Sequence, residues 1–128
     1  MEIKKKIALI DDCQHFYSYL KNRFALEFGS HCSIIYFSDS DSFIDYLMNN
    51  SHLDLELVLV DRFIKSYDLF SDDFVETCKQ LGCKSKIVLL STDPPATQDQ
   101  KSEEGKFDWM IRKGTTSMMK KLRDIVSK

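Results

Sequence analysis

Three runs of four apolar residues, Ile7–Ile10, Leu57–Val60 and Ile87–Leu90, each stop at a polar residue: Asp11, Asp61 and Ser91. Runs this short, with apolar side chains at consecutive positions, suit strands covered on both faces. Alternation is required only where one face meets water. The middle run, in LELVLVDRF, reads as the centre of a sheet with Asp61 at the strand's carboxyl end. Open α/β sheets bind ligands beyond those ends, so Asp61 is the candidate reactive group.

The segments between the runs carry helical spacing. Cys13, Phe16, Tyr17, Leu20, Phe24 and Phe28 predict a helix stopped at Gly29, with Cys13 a buried thiol at its start. Cys32–Phe37, rich in β-branched and aromatic residues, predicts a second strand. The oxygens of Ser38–Asp41 then cap a helix burying Phe43, Ile44, Leu47 and Met48. After Asp61 a long irregular link leads to a helix with Asp72 and Asp73 in its first turn, Phe74, Val75, Cys78 and Leu81 inward, and Gly82 beyond.

Beyond Ser91 and Thr92, Pro94 and Pro95 forbid the sheet from continuing. The stretch from Thr97 to Glu104 has no apolar face, so a helix there is short or weakly docked. Trp109, Met110 and Ile111 predict a fifth strand leading to Lys113, with Trp109 in the core. Thr115 or Thr116 caps a last helix burying Met118, Met119, Leu122, Ile125 and Val126. Strands alternating with helices imply a parallel sheet between two helical layers.

Length and charge narrow the function. The 128 residues fit one domain, and a net charge of −2 with both signs interspersed offers no electrostatic footprint for nucleic acid or membrane. Lys4–Lys6 precede only Ile7–Ile10 before two aspartates, too short for a signal-peptide core, so the expectation is a cytoplasmic protein. Cys13, Cys32, Cys78 and Cys83 lack CxxC or disulfide-framework spacing and predict reduced thiols. A zinc site joining Cys78 and Cys83 to His31 or Cys32 lacks the tight ligand pairs of structural sites.

In a parallel sheet the carboxyl ends of the strands share one edge, which gathers Asp11 and Asp12, Asp61, Ser91 and Lys113. Three carboxylates brought together repel unless a cation joins them, and a hard divalent ion, Mg²⁺ foremost, suits oxygen ligands. Lys113 and Ser91 add donors for a tetrahedral anion that Asp61 can attack. Singly, each residue has a plainer role: Asp after a strand caps a turn, Ser91 starts one, and Lys113 is a solvated charge. Their joint placement at successive strand ends favours phosphoryl transfer to a carboxylate.

These residues carry a resemblance. Through ALIDD (8–12), LVLVD (57–61), IVLLS (87–91) and MIRKG (110–114), the chain resembles the CheY-like receiver domain of two-component response regulators over nearly its whole length. The resemblance implies a flavodoxin-like (βα)5 three-layer sandwich with sheet order 2-1-3-4-5 and an atypical fourth helix. It implies Asp61 as phosphoacceptor, and Mg²⁺ held by Asp11, Asp12, Asp61 and the backbone carbonyl of Phe63. Ser91 would be the switch hydroxyl and Lys113 the phosphoryl-contacting amine. A histidine kinase or phosphotransfer protein would supply the phosphoryl group, and an output domain or effector protein would read the result, the chain being a whole protein or a piece of a longer regulator.

The chain departs from that pattern in several places. Gly114 stands where most receivers have proline, Thr92 replaces a small residue, Met110 takes the aromatic switch position with Trp109 one place earlier as either its stand-in or simply core, and Phe63 places a bulky side chain by the site. The competing expectation is a pseudo-receiver that acts as an interaction module without phosphorylation. A third, an Mg²⁺-dependent phosphohydrolase, lacks a second general base and a Gly-rich phosphate loop.

Overall fold

The computed structural model describes residues 5–50, 55–64, 67–68, 73–92 and 107–126. The readings of Asp72, Pro94, Pro95, the Thr97–Glu104 stretch and the Phe63 side chain lie outside the described residues. The main sheet comprises β1 (Lys5–Ile10), β2 (Cys32–Phe37), β3 (Leu55–Asp61), β4 (Lys86–Ser91) and β5 (Trp109–Arg112). All its pairings are parallel, in the order β2-β1-β3-β4-β5. The helices are α1 (Gln14–Phe28), α2 (Ser40–Asn49), α3 (Phe74–Gln80) and α4 (Thr116–Val126). This is the parallel sheet the strand-and-helix alternation calls for, in the flavodoxin-like order that the resemblance implies.

Successive side chains of a strand point to opposite faces, and the central strands divide accordingly. Ala8, Ile10, Val58, Val60, Ile87 and Leu89 face α2 and α3, where Phe43, Leu47, Phe74 and Cys78 cover them. Ile7, Leu9, Leu57, Leu59, Val88 and Leu90 face α1 and α4, meeting Leu20, Phe24, Met118 and Leu122. Removing a side chain of this size from water stabilises the fold by roughly 1.5–3 kcal/mol, so the two layers account for the unbroken apolar runs Ile7–Ile10, Leu57–Val60 and Ile87–Leu90 within β1, β3 and β4. On β2, at the sheet's edge, every residue is half-buried.

Local chemistry fixes the ends of the elements. Asp39 caps α2, its carboxylate accepting from the Ser42 backbone N–H at 2.8 Å. Gly82 closes α3 with φ near +85°, a conformation glycine adopts without a Cβ clash. There the Cys83 N–H donates to the Cys78 carbonyl at 3.1 Å. Asp108 ties β4 to β5: its N–H donates to Ile87 O and its Oδ2 accepts from Ile87 N, both at 2.8 Å.

The structure corrects four expectations. Met48 is 64% exposed, because the buried stripe of α2 runs through Phe43 and Leu47 and turns Met48 to solvent. Cys13 is exposed, standing at the N-cap position of α1 outside the helical stripe. Asp73 is the N-cap residue of α3 rather than part of its first turn. The link after Asp61 is not wholly irregular, since Phe63–Ile64 pairs antiparallel with Tyr67–Asp68. Trp109 is half-buried against the layer shared with α1 and α4.

Candidate functional site

The sheet brings Asp11, Asp61, Ser91 and Lys113 to one edge, as the strand ends require. Asp61 is the last residue of β3, paired with Leu90, and Ser91 is the last of β4. Asp11 directly follows β1, and Lys113 directly follows β5. The backbone fixes both outer members: Asp11 N–H donates to Phe37 O at 3.0 Å, and Lys113 N–H to Ser91 O at 2.9 Å.

Asp11 is fully buried, and both its oxygens are engaged. Oδ1 accepts from the Cys13 backbone N–H at 2.8 Å, and Oδ2 lies 2.6 Å from Lys113 Nζ. Asp12 is exposed. Asp61 is partly buried, its Oδ1 3.6 Å from the same lysine nitrogen. Burial pushes the Asp61 carboxyl up to about 6; Lys113 opposes this, while Asp11 and Asp12 add to it. Ser91 is buried beside them, and Thr92 is exposed.

Asp11, Asp12 and Asp61 can each offer an oxygen such that all three lie within 4.8 Å of one another. Clustered carboxylate oxygens are the hard donors that a divalent cation such as Mg²⁺ or Ca²⁺ takes. Among the described residues this is the one such cluster. The zinc alternative is not assembled, because Cys78 and Cys83 lie in the α2–α3 layer and Cys32 packs on the opposite face.

Two aromatic residues flank the site in ways the sequence did not foretell. Phe16, in the first turn of α1, places its ring 4.4 Å from Lys113 Nζ. Its helical spacing signalled core, and nothing in the chain marked it as a partner of a lysine far away in sequence. Tyr36 stacks on Tyr17, with ring centroids 4.5 Å apart and planes at 14°. Its buried hydroxyl has no hydrogen-bond partner among the described residues. Burial first, then Asp11 and Asp12, push that hydroxyl's pKa up.

No protein-family model matches the chain, and no curated protein matches it. Solved structures do. The non-phosphorylated HemR receiver domain from Leptospira biflexa is 16% identical, with TM-score 0.74 over 98% of this chain and 96% of that one. A complex of the phosphorylated P1 domain of CheA3 with CheY6 from R. sphaeroides gives 12% identity and TM-score 0.64, covering 97% and 98%. A response regulator protein from Burkholderia pseudomallei with a phosphorylated aspartic acid, calcium ion and citrate gives 15% and 0.67, covering 97% and 69%. The chain therefore has the fold of response regulator receiver (CheY-like) domains, at low sequence identity.

Proposed function

We propose that this chain is a phosphoaccepting receiver domain of a two-component or phosphorelay response regulator, taking a phosphoryl group onto Asp61. The reading rests above all on one observation: three carboxylates within 4.8 Å of one another, with Lys113 Nζ between Asp11 and Asp61, at the strand ends of a receiver fold. An Asp61 oxygen attacks phosphorus, and the new P–O bond forms as the bond to the donor's leaving group breaks. Lys113 and the Ser91 hydroxyl supply donors for the phosphoryl oxygens. Asp11, Asp12 and Asp61, with the Phe63 carbonyl, would hold Mg²⁺, which when bound supplies positive charge to the transferring group.

The P1 complex and the phosphorylated, calcium-bound relative support a histidine kinase or phosphotransfer protein as donor and a divalent ion as cofactor. The switch follows from charge: the added phosphoryl oxygens give Ser91 and Lys113 new partners, favouring whichever conformation lets both reach them. An output domain or effector protein would read that change. A cytoplasmic site of action goes with the proposed role; among the described residues no helix is long and apolar enough to cross a membrane.

The alternative is an interaction module that needs no phosphorylation, favoured by one feature: the Lys113 amine lies 2.6 Å from the buried Asp11 carboxylate and offsets its charge. Intact-mass measurement after incubation with acetyl phosphate, with and without Mg²⁺, separates the two. A single Mg²⁺-dependent phosphoryl adduct, lost in Asp61→Ala, is the expected result. No adduct and no Mg²⁺ binding would select the interaction module.

A further inference from the structure

We infer that Phe16 is a positioning residue for Lys113, its ring holding the amine at the strand ends beside Asp61. This inference rests on the phosphoacceptor reading for its consequence but not for its geometry. Lys113 follows β5 and precedes Gly114, whose φ of +80° lies in the region open to glycine. On that side the Lys113 N–H donates to Ser91 O at 2.9 Å and the Thr115 hydroxyl donates to Arg112 O at 3.2 Å, bonds that hold the backbone and leave the torsions of the long lysine side chain unset. Constraint on the side chain has to come from what its amine touches.

Three groups surround the nitrogen: Asp11 Oδ2 at 2.6 Å, Asp61 Oδ1 at 3.6 Å, and the centroid of the Phe16 ring at 4.4 Å. The side chain is 13% exposed, so the ring and the acids leave the amine little contact with water. An ammonium over an aromatic face is attracted by the ring's quadrupole, more strongly when water is thin. The ring differs from the two acids in one respect that matters. Both carboxylates are candidate cation ligands, and any ion they bind draws charge away from the lysine, whereas the ring's attraction for the amine is unaffected by what the acids hold. Phe16 is itself braced by Tyr19, with ring centroids 6.2 Å apart, and it packs against the layer shared by α1 and α4. The ring therefore keeps Lys113 on the rim after Asp11 turns to a cation, leaving the amine free to contact a phosphoryl group on Asp61.

The test compares Phe16→Trp and Phe16→Tyr, which keep a π-face, with Phe16→Leu, which keeps apolar bulk and loses it. The first readout is the NMR shift of the Lys113 ε-methylene. Ring current should displace it upfield in wild type, Phe16→Trp and Phe16→Tyr, and it should return to the ordinary lysine position in Phe16→Leu. The second is the rate of phosphorylation by acetyl phosphate with Mg²⁺. Phe16→Leu should be slower by roughly 3- to 30-fold, with Trp and Tyr near wild type, and Phe16→Leu should add nothing in a Lys113→Met background.

An ordinary lysine shift in wild type would overturn the inference whatever the rates. A wild-type rate in Phe16→Leu, or equal slowing by Trp, Tyr and Leu, would overturn it too, the latter reducing Phe16 to a packing residue. An upfield shift in a protein that takes no phosphoryl group would confirm the placement of the amine and overturn the phosphoacceptor reading, and with it the consequence drawn for catalysis.

Discussion

Lys113 crosses the sheet edge to Asp11, its Nζ 2.6 Å from Oδ2, while Asp61 Oδ1 lies a full ångström farther from it at 3.6 Å. In this state the lysine belongs to the candidate metal ligand more than to the candidate phosphoacceptor. Lysine and cation therefore compete for Asp11. Lys113→Met should destabilise the metal-free protein by about 2–4 kcal/mol, because it strands a buried carboxylate. It should also tighten Mg²⁺ binding. Urea unfolding with and without Mg²⁺ checks both, and most of the lost stability should return at saturating Mg²⁺.

Asp61 makes stability depend on pH. Its carboxyl rises from a usual value near 3.8 to about 6 on folding, so between those values the folded state holds more protons than the unfolded. Stability of the metal-free protein should consequently fall as pH rises from about 4 to about 6 and then level off. Asp61→Asn removes the dependence and should be the more stable protein at pH 7, the two converging near pH 4. Mg²⁺ affinity, which requires the ionised carboxylate, should climb over the same interval. Thermal unfolding and calorimetry across pH 4–8 measure these trends.

Ser91 separates chemistry from switching. Ser91 is buried at the end of β4, and in the proposed function its hydroxyl is a donor toward the phosphoryl oxygens while Asp61 makes the attack. Ser91→Ala should accept the phosphoryl group with a rate reduced by no more than about tenfold, one neutral hydrogen bond being worth about 1 kcal/mol. Amide shift changes on phosphorylation should shrink around residues 91–92 and 113–114. Phosphorylation abolished in Ser91→Ala would assign it to the reaction itself.

Asp108 offers a stability test away from the site. Its carboxylate satisfies the Ile87 N–H at 2.8 Å where β4 begins. Asp108→Ala should cost about 1–3 kcal/mol by leaving that donor without its acceptor, while Asp108→Asn, which keeps an acceptor oxygen, should recover most of it. Denaturant midpoints for the three proteins decide the matter.

The middle of the sheet was legible because three of its strands carry runs that are apolar on both faces. Ile7–Ile10, Leu57–Val60 and Ile87–Leu90 have no other comfortable place, and β2 matches its expected limits at Cys32 and Phe37. The polar residues that end those runs were legible for the same reason. What the sequence hid lies in the third dimension across elements. Phe16 satisfies a helical stripe and also covers a lysine, and spacing reports only the first. Met48 follows a buried Leu47 directly, so a small rotation of α2 decides which side meets water. The short ladder at Phe63–Ile64 and Tyr67–Asp68 is too brief to leave a periodic trace.

The lysine that balances the acids lies 102 residues after Asp11, and Lys5 of β1 likewise donates to the Val126 carbonyl, 121 residues away, at 2.8 Å. A ribosome therefore releases all the carboxylates long before it makes the cation that offsets them. Until β5 docks, the half-made sheet carries clustered negative charge at its edge and an open flank on β4. Docking of β5 and α4 closes that flank and delivers the counter-charge in one event, so closure of the sheet and assembly of the site coincide.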